Sequence, residues 1–208
     1  MRKGRSDGQQ TKQRILETAG EIFAQRGYYN TASKDICHAA KVNSAAINYH
    51  FGSKDGLYEK IMQAAIQHFL NIDFLKQLDK SNQLPDEKLN TLLNHIVSNI
   101  MEERSWHGKV WAREIVSPSP VAEKVIISQA HNRTSIIKKI IMQACNRPFE
   151  QPNDESTYAL FTLLAPCMML MIVNPELPTP IQPLFSQPRE KLVSYIANLV
   201  KQAAKQPQ

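Results

Sequence analysis

The segment VNSAAINYHF, residues 42–51, decides the fold predicted for this chain of 208 residues. Its apolar residues Val42, Ile47 and Phe51 are spaced to anchor one side of a short helix, and small or polar residues remain for the other side. A second short helical pattern ends near Ala40, only a few residues earlier. Two short helices joined by a tight turn indicate a helix-turn-helix, whose recognition helix must enter a DNA groove about 12 Å wide.

Helical patterns on both sides of this segment extend the predicted N-terminal domain. Residues 11–27 place their apolar side chains on one stripe and end at Gly27, which suits the left-handed conformation found just past a helix end. After the helix-turn-helix, apolar residues recur at four-residue steps and predict a long fourth helix running towards Leu78. The predicted caps of the second, third and fourth helices are Thr31 or Ser33, Asn43 or Ser44, and Ser53.

The rest of the chain also has helical periodicity, and no segment alternates apolar and polar residues for long. We therefore predict an all-α fold. All 12 prolines lie at or beyond Pro85, whereas six of the seven glycines lie at or before Gly56, so the chain changes character between these positions. The predicted parts are an arm over 1–10, a helix-turn-helix domain over 11–58 and a helical domain over 59–208. Helices in the last are predicted near 86–103, 106–116, 120–146, 153–173 and 188–205.

Positive charge is concentrated at the front of the chain. The net charge is +6, and residues 1–60 hold ten Lys and Arg against six Asp and Glu. Within the first fourteen residues, five basic side chains face only Asp7. This arm fits a basic segment attracted by nucleic acid, and it fits equally well a solvated, disordered start.

Several classes of protein lack support in this sequence. Cys37, Cys145 and Cys167 are an odd number without CxxC spacing, so we expect a reducing cytoplasm and neither a disulfide framework nor a zinc site. The six histidines form no ligand set, and no nucleophile stands beside a base, so no enzyme, metal or cofactor is predicted. The longest apolar run, 158–173, has sixteen residues. It falls short of the roughly 20 needed to cross a bilayer, so a buried helix and no membrane partner are predicted.

Within residues 11–60 the motifs that stand out are GYYNT (27–31), Asp35-Ile36, Ala40, Val42, INYHF (47–51) and SKDGLY (53–58). In order and spacing they resemble the DNA-binding domain of TetR-family transcriptional regulators. The resemblance implies a homodimer whose C-terminal helices bind a small effector and dimerise, and whose affinity for operator DNA falls when the effector binds. The stretch WAREIVSPSP, 111–120, resembles the CecR-type subgroup.

The resemblance also implies roles for individual residues at the front of the chain. Lys41 stands where the family's turn commonly has glycine, and Asn48 where an aromatic residue is common. Hydroxyl, imidazole and ammonium groups at helix N-termini suit phosphate oxygens, although Tyr49 or His50 could instead pack against the first helix. The implied base-reading residues are Ser33, Ser44, Ala45, Ala46 and Asn48. The residues implied to hold the DNA backbone are Thr31, Tyr49, His50 and Lys54.

A pocket for a small effector should be mostly apolar with a few placed polar groups. The C-terminal region offers such residues, and they favour an apolar or aromatic effector. The alternative is that the methionines fill gaps in a core and that Arg113 and Glu114 form an ordinary ion pair. The candidate effector residues are His107, Trp111, Arg113, Glu114, Met142, Met168 and Met169.

Helix 153–173 is apolar all round, so one of its faces must meet something besides its own core. The last helix repeats the same apolar stepping, and two such helices from each of two chains would form a four-helix interface with two-fold symmetry. That symmetry requires a roughly palindromic double-stranded operator. The predicted interface residues are Tyr158, Phe161, Ala165, Met168, Ile172, Leu192, Ile196 and Leu199.

The leading hypothesis is therefore a DNA-binding transcriptional repressor that a small effector releases from its operator. An effector-independent regulator or an activator is the first alternative. A helical ligand carrier or an enzyme is the second, and it would need a catalytic constellation that these residues do not supply.

Overall fold

A computed structural model describes residues 3–101, 105–149 and 153–204. Every regular element in these ranges is helical, which confirms the predicted all-α class. A 3-10 helix, Gln182–Ser186, precedes the last α-helix. The α-helices are α1 (Lys3–Arg26), α2 (Ser33–Ala39), α3 (Ala46–Phe51), α4 (Lys54–Phe69), α5 (Ile72–Lys80), α6 (Pro85–Met101), α7 (Trp106–Val116), α8 (Pro120–Ala144), α9 (Asp154–Ile172) and α10 (Arg189–Ala203).

The chain divides into two compact units. Unit 1 comprises Met1–Ile66 and Ser105–Ser128, and unit 2 comprises Gln67–Arg104 and Gln129–Gln208. These units differ from the predicted domains 11–58 and 59–208, because α7 and the start of α8 belong with the helix-turn-helix. Periodicity within a single helix does not reveal which distant helix will cover its apolar face.

Unit 1 is built on the apolar stripe of α1. Ile15, Ala19 and Phe23 are fully buried, together with Ile36 of α2 and Ile47 of α3. The first helix begins earlier than predicted, at Lys3, so the arm predicted as disordered over 1–10 is helical from that residue. Once the packed stripe has formed the helix, each preceding residue adds a hydrogen bond without the cost of nucleation.

Two left-handed residues shape the ends of α1 and α2. Gly27 has a φ of 77°, as predicted for the residue just past the end of α1. Lys41, at the turn position where the resemblance implies glycine, has a φ of 52°. A lysine therefore holds the left-handed position in the turn after α2, at a modest steric cost.

The predicted long fourth helix is interrupted. α4 ends at Phe69, and α5 begins at Ile72. Asn71 caps the new helix, since its Oδ1 accepts hydrogen bonds from the backbone N–H groups of Asp73 and Phe74 at 2.9 and 3.0 Å. The buried Arg133 donates from Nε to the carbonyl of Leu70 at 2.8 Å. The prediction was wrong here because the apolar spacing continues through the break and masks the asparagine cap.

Unit 2 has its own apolar core. One side of α9 is buried in it through Ala159, Leu163 and Cys167. Burial raises the pKa of the Cys167 thiol to about 12, so this cysteine is an inert core residue. By length and composition α9 could also cross a membrane, which is weak evidence because the core helix of a globular protein passes the same test.

A glycine in α1 makes room for α7. A Cβ built on Gly20 would lie 2.3–2.7 Å from three ring atoms of Trp106, closer than any real contact. We therefore expect Gly20→Ala to destabilise unit 1 by about 1–3 kcal/mol through overpacking, although alanine is normally favoured over glycine in a helix. Urea unfolding followed by tryptophan fluorescence measures this effect specifically, because both tryptophans, Trp106 and Trp111, lie in unit 1.

Gly8→Ala in the same helix is the matched control. A Cβ on Gly8 would meet nothing within 4 Å, so this change should leave stability unchanged or raise it by up to about 1 kcal/mol. Equal effects of the two substitutions would contradict the packing argument.

Candidate DNA-binding site

The turn between α2 and α3 is short and well bonded. Backbone N–H groups of Ala40 and Val42 donate to the carbonyls of Ile36 and Cys37 at 2.8 and 3.0 Å. Cys37 is buried beside Ile36, so the inner side of the turn belongs to the core of unit 1. These bonds fix α3 against α2 in a helix-turn-helix arrangement.

The outer side of α3 carries the predicted base-reading residues. Ser44, Ala45 and Asn48 are exposed, and Ala46 is half-buried at the first position of the helix. The helix starts two or three residues later than the predicted caps. Asn43 uses its Oδ1 to accept the Ala45 N–H at 2.8 Å within the turn itself.

Ser33 occupies a different helix from the other predicted base-reading residues. It is the first residue of α2 and is half-buried. No side chain caps α2 from its N-cap position, which is Ala32. The predicted reading surface thus combines the outer side of α3 with the start of α2.

Two of the predicted backbone-holding residues lie at the end of α3. The Tyr49 ring is 84% exposed, so the alternative that it packs against α1 is wrong. His50 is half-buried, and its ring centroid lies 4.8 Å from that of Tyr49 and 6.2 Å from that of Phe51. The Tyr49 side chain therefore stands clear of the core, and the imidazole lies beside two aromatic rings.

Thr31 does not fit its predicted contact with DNA. Its side chain is buried, with 2% exposure, and its Oγ1 donates to the carbonyl of Gly27 at 2.8 Å. This hydroxyl satisfies a backbone carbonyl at the end of α1 that has no partner within the helix. It is engaged inside the protein in this conformation and is not available to a phosphate oxygen.

Lys54 is also engaged within unit 1. Its Nζ donates to the carbonyl of Tyr28 at 2.7 Å and lies 4.3 Å from the centre of the Tyr28 ring. The Tyr28 hydroxyl donates to Asp55, and desolvation together with this carboxylate raises the pKa of the phenol to about 12. The phenol therefore remains protonated at neutral pH. Both contacts fasten the loop before α2 to the start of α4, while the ammonium group keeps further donors for a phosphate.

A buried polar cluster links α4 to the end of α7. Glu114, which is 4% exposed, accepts hydrogen bonds from the Tyr58 hydroxyl and from the backbone N–H of Ser119, the latter at 2.6 Å. Tyr58 and Ser119 are each 1% exposed. Desolvation and the adjacent carboxylate raise the pKa of the Tyr58 phenol above its usual range, so it stays a donor.

α7 is fastened to α1 at both of its ends. The Trp106 indole N–H donates to Glu17 at 2.8 Å. Arg113 donates from Nε and Nη2 to the carbonyls of Ala24 and Gln25 at 2.8 and 2.6 Å. These carbonyls lie in the last turn of α1, where a cation also opposes the negative end of the helix dipole.

The predicted effector residues do not form a single group. Four of them, including Arg113 and Glu114, lie in unit 1, and those two make the contacts just described rather than an ion pair with each other. Met142 is fully buried in unit 2, Met168 is half-buried, and Met169 is 49% exposed. Sequence reasoning missed the structural role of α7 because its partners in α1 and α4 are distant in the chain.

The predicted dimer residues also divide into two groups. Tyr158, Phe161 and Ile172 form an exposed apolar side of α9, at 65%, 69% and 40% exposure. Ala165 and Met168 between them are half-buried, as is Leu199 of α10. Leu192 and Ile196 were predicted wrongly, since both are buried within the chain, Ile196 in the core of unit 2. Their stepping marks the apolar face of α10 correctly, but that face packs within its own unit.

No group of three or more His, Cys, Asp or Glu side chains suited to a metal ion occurs in the parts of the chain that the structure describes. What the site presents is an exposed short helix with amide, hydroxyl and phenol groups, on a unit with excess positive charge. This arrangement can bind a nucleic acid without any chemical step.

Comparison with known protein families gives a match for the N-terminal part of the chain and another for the C-terminal part. Residues 15–61 match the bacterial regulatory proteins of the tetR family. Residues 85–205, more than half of the chain, match the C-terminal domain of the HTH-type transcriptional dual regulator CecR.

Individual relatives match only about half of the chain. The chain is 31% identical over 93 residues to the biofilm operon icaADBC HTH-type negative transcriptional regulator IcaR of Staphylococcus aureus, covering 45% of this chain and 48% of that protein. It is 31% identical over 107 residues to the HTH-type transcriptional regulator AcrR of Shigella flexneri, covering 50% of this chain and 48% of that protein. The chain thus spans about half the length of the curated relatives it matches.

The fold agrees over most of the chain. AibR, solved in complex with isovaleryl coenzyme A and operator DNA, superposes with a TM-score of 0.67 over 90% of this chain and 96% of its own, at 17% identity. At that identity the likeness concerns the fold alone.

Proposed function

We propose, since the chain belongs to the TetR family of bacterial regulatory proteins and carries a CecR-type C-terminal domain, that it is a cytoplasmic transcriptional repressor released from operator DNA by a small effector. The observation that carries this proposal is the exposed outer side of α3, where Asn48 and Tyr49 stand clear of the core. IcaR is itself named as a negative regulator, which supports the sign of regulation.

Sequence reading is assigned to the carboxamide and small side chains of α3. Asn48 can pair in a bidentate manner with an adenine edge, and Ala45 and Ala46 let the helix approach the bases closely. Tyr49, His50 and Lys54 are assigned to the phosphates, and the position of Lys54 is supported by its tether to Tyr28. These phosphate contacts supply affinity without sequence preference.

The assembly that suits this role is a homodimer. The exposed apolar side of α9 is unfavourable to leave in contact with water. A two-fold axis would bury it against the same surface of a second chain. Two α3 helices would then meet two half-sites about 34–36 Å apart, or a multiple of that spacing, on a palindromic operator.

Release by an effector completes the proposal. AibR binds isovaleryl coenzyme A, so this fold accommodates an acyl effector beside a DNA-binding role. For this chain the expected effector is apolar or aromatic, with Met142 and Met168 of unit 2 as candidate contacts. Its binding should weaken operator affinity by a factor of roughly 5 to 150, the usual range of coupling free energies.

Selection of bound duplexes from a random library tests the proposal and gives a prediction for Asn48. The wild-type chain should recover a two-fold symmetric motif. The Asn48→Ala variant should recover a motif that is relaxed at one position in each half-site, with a loss of about 1–3 kcal/mol for the original sequence.

Lys76→Ala, at an exposed position in α5, serves as the control and should recover the wild-type motif. If wild type and Asn48→Ala select the same motif with the same preference, Asn48 does not read a base.

A further inference from the structure

Unit 1 contains a pocket that the proposed function does not use. It is an open pocket of about 430 Å³ between the end of α1, the loop that follows it and the last turn of α7. This volume falls within the range of sites for small organic ligands. Its lining belongs entirely to unit 1 and includes Arg113 and Glu114 from the predicted effector residues, whereas Met142 and Met168, the effector contacts of the proposed function, belong to unit 2.

One guanidinium nitrogen is left open at this pocket. Arg113 uses Nε and Nη2 to bind two carbonyls of α1, and these bonds hold the plane of the group in place. Its Nη1 makes no hydrogen bond to any residue that the structure describes. A Cβ on Gly27 would lie 3.8 Å from that nitrogen, so the absence of a side chain at Gly27 keeps Nη1 uncovered. The result is a preorganised donor beside open space.

The end of α1 would ordinarily repel an anion, because its last carbonyls carry the negative end of the helix dipole. Here those carbonyls are already paired. The N–H of Gly27 donates to Phe23, the side-chain amide of Asn30 donates to Arg26, and the Thr31 hydroxyl donates to Gly27, at 2.8, 3.2 and 2.8 Å. The Arg113 guanidinium group donates to the two carbonyls that lie between these, those of Ala24 and Gln25. The repulsion that the helix end would exert on an anion is therefore reduced.

The other charges of the lining leave an excess of positive charge. Arg26 and Arg113 both line the pocket, against one carboxylate, Glu114. That carboxylate is buried and accepts hydrogen bonds from elsewhere in unit 1. The Arg26 guanidinium is 3.5 Å from Asp35 in an exposed pair, which a competing anion can replace at little cost.

An aromatic surface completes the pocket. The Tyr29 ring is 69% exposed and lies edge-on to Tyr28, with centroids 5.2 Å apart. Val116, 72% exposed, lines the pocket from the end of α7. A flat ring can stack on Tyr29 while a negative group on that ring reaches the guanidinium nitrogens.

We propose that this pocket binds a small aromatic carboxylate, with its carboxylate on Arg113 Nη1 and Arg26 and its ring against Tyr29. Such a ligand contacts the loop that leads into α2, so it bears directly on the DNA-binding unit. The site is additional to the effector site of the proposed function and does not depend on it.

Benzoate is the probe, titrated into the full chain and followed by the backbone amide signals of Gly27, Asn30 and Val116. We expect these signals to shift in a saturable manner with a dissociation constant on the order of 1 mM, since a ligand this small has few atoms with which to gain affinity. Benzamide, which has the same shape without the charge, should bind at least tenfold more weakly. Inorganic phosphate, which has charge without a ring, should also bind more weakly than benzoate.

Val116 provides a matched pair of variants that leaves the hydrogen bonds of Arg113 intact. Val116→Glu places a like charge at the pocket and should weaken benzoate at least tenfold. Val116→Gln introduces a side chain nearly identical in size to that glutamate but without its charge, so it should retain binding within about threefold. The tenfold loss expected for Val116→Glu corresponds to about 1.4 kcal/mol. The proposal is overturned if benzoate gives no saturable shift, if benzamide or phosphate binds as tightly, or if both variants weaken benzoate equally.

Discussion

Glu114→Ala is expected to destabilise unit 1 strongly. The substitution leaves the Tyr58 hydroxyl and the Ser119 N–H buried without their acceptor. Each orphaned buried donor costs roughly 1–3 kcal/mol, so the expected loss is about 3 kcal/mol. Tryptophan fluorescence during urea unfolding reports this loss, because both tryptophans lie in unit 1.

Glu114→Gln is the matched variant for this prediction. The carboxamide retains one acceptor oxygen of similar shape, so about half of the loss should remain. A double-mutant cycle with Tyr58→Phe then isolates the bond between α4 and α7 and should give a coupling energy above 0.5 kcal/mol. A Glu114→Ala midpoint within about 0.5 kcal/mol of wild type would show that the cluster does not stabilise unit 1.

Phe161→Arg is expected to have the largest effect on assembly. Phe161 is 69% exposed in the middle of the apolar side of α9, so a charge there costs little in the folded monomer. In a symmetric interface it would face its own copy across the axis, where two desolvated like charges repel. We expect the wild type to sediment as a dimer at micromolar concentration and the variant to sediment as a folded monomer that binds operator at least 100-fold more weakly.

Ile127→Arg provides the control for the Phe161 experiment. Ile127 is an equally exposed apolar residue, at 68%, but it lies on α8 in unit 1. This variant should remain dimeric. If the Phe161→Arg chain stays dimeric, or if Phe161→Arg and Ile127→Arg dissociate to the same extent, α9 is not part of the interface.

The helix-turn-helix was predictable from sequence because its determinants are local. The anchor Ile47 lies within a few positions of the turn and Gly27 directly follows α1, and both have the predicted character in the structure. The outward side of α3 follows directly once its inward side is known. The helix α3 begins later than predicted because the Asn43 side chain accepts a hydrogen bond within the turn instead of capping the helix.

Features that depend on distant partners were not predictable in the same way. The periodicity of α10 identifies Leu192 and Ile196 as apolar-face residues, but it does not say whether that face meets the same chain or another. Arg113 and Glu114 were predicted as effector residues beside Trp111, and both line the pocket of unit 1, but their hydrogen-bond partners in the last turn of α1 and at Tyr58 lie more than fifty positions away. Thr31 shows the same limit at short range, since a hydroxyl that suits phosphate suits a backbone carbonyl equally well.

The affinity of the wild-type chain for its selected duplex, compared with a shuffled duplex of the same composition at the same salt concentration, tests the central claim most directly. Fluorescence anisotropy measures both affinities. A DNA-reading regulator should prefer the selected duplex by about a thousandfold or more, and an apolar or aromatic effector should reduce that preference. Equal affinity for the two duplexes would mean that the chain binds DNA only through its charge, and it would contradict the assignment of α3 as a reading helix.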